Sequence, residues 1–107
     1  MGTEIVVRLQ YEATHSWPEC PIEAVKFLKD PHRHIFHIKA YKDVSHSDRE
    51  IEIIIFKREI MFHLDMNFKG DFGTRSCEDI ALYLINEFSL SSCEVLEDGE
   101  NGARVTT

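Results

Sequence analysis

The segment from His32 to Tyr41, His-Arg-His-Ile-Phe-His-Ile-Lys-Ala-Tyr, restricts this chain more than any other stretch. Read as a strand, it sends side chains two positions apart to the same face. His32, His34, Phe36, Ile38 and Ala40 then share one face, and Arg33, Ile35, His37, Lys39 and Tyr41 share the other. The first face is apolar along most of its length and carries two neighbouring imidazoles at its start. An earlier apolar segment leads to His15, and a neighbouring strand ending there supplies a third imidazole. Three imidazoles with a fourth position open form the donor set of a catalytic zinc site, not a structural one. His15, His32 and His34 are therefore the candidate metal ligands, with Zn2+ the expected ion.

The chain of 107 residues, 43% of them apolar, suits one domain over residues 1–107. Its net charge of −7 argues against nucleic acid as the main partner. An anionic small substrate stays compatible, because a bound metal reverses the local field. No apolar run reaches the roughly 18 residues of a spanning helix, so no membrane partner is expected. Met1 to Gln10 mixes Glu4 and Arg8 into its apolar run and does not read as a signal peptide. Cys20, Cys77 and Cys93 are scattered and form no CxxC pair. Reduced thiols and a cytoplasmic location follow as expectations.

Residues 4–11 read as the first strand and 32–41 as the second. Between them, the connection 12–31 carries Trp17 and three prolines, with a short helix expected over 22–29. Residues 42–49 read as a polar turn. Glu50 to Ile54 reads as a third strand that passes into a helix near Ile54, because Phe56, Ile60, His63 and Leu64 recur at helical spacing. After a loop over 67–75, Ser76 is a good helix cap with Asp79 three residues on. The helix runs to about Phe88, followed by a strand over 92–97, a turn, and an edge strand over 103–106. The expected class is α+β, a four-stranded antiparallel sheet with two helices on one face.

At this point five motifs in order resemble the 6-pyruvoyl-tetrahydropterin synthase and 6-carboxytetrahydropterin synthase family, of the tunnelling fold. They are His15; His32-Arg33-His34; the strand-to-helix junction Ile51-Glu52-Ile53-x-x-Phe56-Lys57; the helix start Ser76-Cys77-Glu78-Asp79; and the strand Cys93-Glu94-Val95-Leu96-Glu97 ending in Glu. The resemblance covers nearly the whole chain. It departs in being shorter than typical members, chiefly between Lys57 and Ser76, and in two motifs. The family carries a Cys four to six residues before its His-x-His, whereas here those positions hold Lys26, Phe27 and Leu28 and the nearest thiol is Cys20. The family also carries a Leu-Asp-His relay, whereas here the register reads Leu64-Asp65-Met66, with His63 on the other side of Asp65.

The resemblance implies a zinc-dependent lyase acting on a pterin- or purine-nucleotide-like substrate, with an altered proton relay. It also implies a homo-oligomer that closes its sheets into a barrel, a hexamer being the count to expect. Cys20, His63, Asp65 and His46 are the candidates for proton transfer or nucleophilic attack. Glu97 is the candidate anchor for a ring edge, since a carboxylate accepts two adjacent N–H groups; a solvated acid at a strand end is the plainer alternative. Ser76, Cys77 and Glu78 offer backbone N–H groups to the same ring or simply cap a helix. Arg49, in the dense segment His46 to Glu52, is a candidate clamp for phosphate or carboxylate, or part of a solvated turn. The competing expectations are an inactive pterin- or nucleotide-binding module that keeps the metal, and a structural subunit with neither.

Overall fold

The computed structural model describes residues 2–107, and among them it forms four strands, two α-helices and one short 3-10 helix. Strand β1 is Thr3–His15, β2 is His32–Val44, β3 is Ser92–Glu97 and β4 is Asn101–Thr106. Helix α1 is Ile53–Phe68 and α2 is Cys77–Phe88; the 3-10 helix, Glu23–Lys29, lies in the connection between β1 and β2. The sheet is open and antiparallel throughout, in the order β1-β2-β3-β4.

Register explains where the core sits. Leu9, Ile38, Val95 and Ala103 stand in one row across the sheet, and Val7, Ala40, Cys93 and Val105 in the next. These rows belong to one face, and the buried residues of both helices pack on it: Phe56, Ile60 and Leu64 from α1, and Ile80, Ala81, Leu84 and Ile85 from α2. Both helices thus cover the same side of the sheet, as alternation along β2 and the helical stripes require. The next rows on that face are Tyr11 with Phe36 and Glu97, then Ala13 with His34, then His15 with His32. The apolar face therefore runs directly into the histidines.

The structure corrects the expected third strand over Glu50–Ile54. Ile53 begins α1, and the Glu52 carboxylate caps it by accepting from the backbone N–H groups of Ile54 and Ile55 at 2.9 and 3.1 Å. Three consecutive isoleucines favour a strand locally. The cap, together with burial of Phe56, Ile60 and Leu64 at helical spacing, outweighs that preference. The fourth strand of the sheet is instead Asn101–Thr106, which starts before the expected residue 103. Strand β2 runs on to Val44, through the first part of the expected turn. The cap on α2 is as read: the Ser76 hydroxyl accepts from the Asp79 N–H at 3.1 Å. Among the described residues no helix is long and apolar enough to cross a membrane.

Candidate metal centre

Cross-strand pairing places His15 directly opposite His32, and the two-residue period of β2 places His34 beside them. The three rings stack edge to face, with centroids 4.6, 5.0 and 5.3 Å apart. Phe36 forms the floor, its ring 5.1 Å from that of His15 and 5.7 Å from that of His34. Glu97, the last residue of β3, enters from the other side. One ligand atom from each of His15, His32, His34 and Glu97 lies within 4.8 Å of all the others, so the group can hold a metal ion.

Outer partners fix the rings. His15 Nδ1 donates to the Arg75 carbonyl at 2.9 Å, His32 Nδ1 to the Asp30 carbonyl at 2.8 Å, and His34 Nδ1 to Asp98 Oδ2 at 2.7 Å. A carbonyl oxygen can only accept, so Nδ1 of His15 and of His32 carries the proton. A carboxylate imposes the same on His34. The Asp98 carboxyl is held below the usual carboxylate range, chiefly by the His34 bond and then by the Ile35 N–H. In the neutral rings every Nε2 is consequently a bare lone pair, the form in which imidazole binds metals.

The Nε2 atoms of His15 and His34 are buried and have no hydrogen-bond partner among the described residues. Yet Glu97 Oε2 lies 2.9 Å from His15 Nε2, and Oε1 lies 3.6 Å from His34 Nε2. The 2.9 Å approach lacks the angles of a hydrogen bond, which argues against a proton between the two atoms. Two electron-rich atoms at that distance repel unless a cation lies near both. The donor set of three nitrogens and one carboxylate oxygen suits a divalent ion such as zinc. The residues present can therefore hold a metal ion.

A cavity of about 560 Å³ opens beside this group. His15, His32 and Glu97 line it, together with Trp17 and Leu28 from the β1–β2 connection, Arg75 to Asp79 at the start of α2, and Asn101. The connection is tied across its mouth by the Trp17 N–H donating to the Leu28 carbonyl at 2.7 Å. Cys77 borders both the cavity and the Glu97 carboxylate. Burial, and then the charge of Glu97, push its thiol up to about 12, so it is protonated at neutral pH.

The remaining sequence candidates are dispersed. Cys20 is buried within the connection, its thiol directed at the Ile22 and Val25 carbonyls, and does not line the cavity. His63 stands in the seam between the helices, with Nε2 2.6 Å from the Tyr83 hydroxyl. Asp65 is exposed on α1. His46 and Arg49 occupy the exposed turn after β2, where Arg49 pairs with Asp48. Ten residues of strand separate His34 from Val44, about 30 Å at the usual rise, so these two cannot reach the histidines of their own chain. Ser76, Cys77 and Glu78 do meet at the cavity with Glu97.

Sequence reasoning missed Asp98, Arg75 and Asn101. The one available signal was an acid directly after the strand-ending Glu97, at the start of a Gly-containing turn. Compared with models of known protein families, the chain matches none, and no curated protein matches it.

Proposed function

We propose that this chain is a zinc-dependent enzyme of the pterin-synthase type, acting on a pterin- or purine-nucleotide-like substrate with an altered proton relay. The observation that carries the proposal is the convergence of three tautomerically fixed imidazoles, two of which, His15 and His32, line a cavity large enough for a small ring compound. Zinc bound there would act as a Lewis acid and lower the pKa of a coordinated hydroxyl. The chain's own residues supply the rest. Glu97 offers a carboxylate to the N–H edge of a ring, and the first residues of α2 offer backbone N–H groups beside it. Trp17 and Leu28 contribute apolar wall on one side. The protonated Cys77 thiol, and not Cys20, is the thiol at the cavity.

A tunnelling-fold homo-oligomer belongs to the same proposal, six subunits being the expected count. The outer edges of β1 and β4 and the exposed Ile54, Ile55, Phe62 and Met66 of α1 support it, since pairing and burial would satisfy both. A cytoplasmic setting accords with three free, buried thiols.

A second reading, a binding module that keeps the metal but turns nothing over, is favoured by one observation. Cys20, His63 and Asp65 all stand away from the cavity lining.

Elemental analysis of purified protein beside the His32→Ala/His34→Ala double variant tests the metal. About one zinc per chain, lost in the variant, is the expected result, and no metal in either protein sinks the proposal. Pterins and guanine nucleotides are then screened with the zinc protein. Product formation supports the enzyme, and tight binding without product supports the module.

A further inference from the structure

The Glu97 carboxylate turns both of its oxygens toward the histidines: Oε2 to His15 Nε2 at 2.9 Å and Oε1 to His34 Nε2 at 3.6 Å. Among the described residues no N–H or O–H group donates to either oxygen, and the Cys77 thiol is the one side-chain donor beside them. Gripping a ring edge through two adjacent N–H groups needs both oxygens directed into the cavity. Glu97 lines the cavity, but its oxygens lie against the imidazoles, so the carboxylate must turn before it can grip a ring. Its orientation is that of a ligand.

We propose that Glu97 is the fourth ligand of the resting metal centre, and that a ring compound entering the cavity must displace it; this rests on the metal reading above. The backbone around Glu97 makes such an exchange a side-chain event. The next residue, Asp98, donates its N–H to the Ile35 carbonyl at 2.8 Å and accepts the Ile35 N–H on Oδ1 at 3.0 Å. On the other strand of the hairpin, a Cβ on Gly102 would stand 1.8 Å from the Val95 carbonyl oxygen, so those backbones are in close contact. The corner is pinned on both sides. The side chain of Glu97, with 31% of its surface exposed, can rotate from the histidines to the cavity. The resting site is then closed at four protein ligands, and the open position appears only when the ring takes the carboxylate away. No bond other than the metal–oxygen bond is broken, and the metal keeps its three nitrogens.

The test uses the full chain loaded with Co2+ in place of zinc, because the visible spectrum of Co2+ reports its ligands. Wild type, Glu97→Gln and Glu97→Asp are compared, each with and without free guanine and neopterin as ring probes. The expected results are a changed spectrum and metal affinity weaker by about 10-fold or more in Glu97→Gln, since loss even of an outer partner costs 10–100-fold. Partial recovery is expected in Glu97→Asp. A ring probe should shift the wild-type spectrum toward that of Glu97→Gln. Circular dichroism of the metal-free variants checks that they fold. A wild-type spectrum and affinity preserved in folded Glu97→Gln would overturn the ligand role alone. Failure of wild type to bind Co2+ or zinc would overturn the metal reading with it.

Discussion

Asp98 holds His34 by its side chain and the strand beside it by the same carboxylate: Oδ2 accepts from His34 Nδ1 at 2.7 Å while Oδ1 accepts from the Ile35 N–H at 3.0 Å. It does so from a left-handed backbone conformation, φ 55°. The other two histidines are held by neutral carbonyls. His34 alone has a charged partner on Nδ1, which raises the basicity of its Nε2. Asp98→Asn should weaken zinc binding by about 10–100-fold, measured by competition with a chromophoric chelator.

The same contact sets an acid limit. The folded Asp98 carboxyl lies below its ordinary value, because the His34 and Ile35 hydrogen bonds favour the anion. A depressed folded pKa contributes stability that is fully present above the unfolded value, about 3.9, and is lost as pH falls through the folded value. The metal-free protein should lose part of its thermal stability below about pH 4, and Asp98→Asn should lose less over that interval. Melting curves of the two proteins from pH 7 to pH 3 check this.

Phe36 is fully buried and lies between the core and the site, with its ring 5.0 Å from Phe72 and 5.1 Å from His15. Phe36→Ala should cost about 3–5 kcal/mol in denaturant unfolding. It should also weaken metal binding, because two of the rings lose their floor. Ile80→Ala, in the helix layer of the same core, should cost about 2–5 kcal/mol and leave the metal in place.

Cys77 and Cys93 are both raised to about 12, in each case first by burial. Thiolate is the reactive form, so both thiols should resist iodoacetamide at pH 7.5 in the folded protein. Mass spectrometry should find them labelled only after denaturation.

Much of this arrangement was legible in the sequence. Strict alternation marked β2 and placed His32 and His34 together, and the Ser76 cap and the Ile80–Leu84 stripe marked α2. What failed was local. Ile53, Ile54 and Ile55 looked like strand because β-branched residues favour it, and the deciding contact was a Glu52 carboxylate two and three residues away. Asp98 was illegible for a different reason. Its role depends on β2 and β3 lying side by side, a pairing between residues about 60 positions apart that no local pattern encodes. His46 and Arg49 looked functional by composition. Strand length carries them to the opposite end of the sheet, which composition does not report.

The anchors of the three rings lie in three different connections: Asp30 before β2, Arg75 before α2, and Asp98 between β3 and β4. An ion held by these rings would therefore be a cross-link as well as a reagent. From His15 to Glu97 it would close a loop containing most of the chain, as a disulfide does in a protein exposed to oxidants. Binding only the folded form at 100 times its dissociation constant, it would add about 2.7 kcal/mol to global stability. Amide exchange in all three connections would then slow together, and the loops that open independently in the metal-free protein would open as one unit.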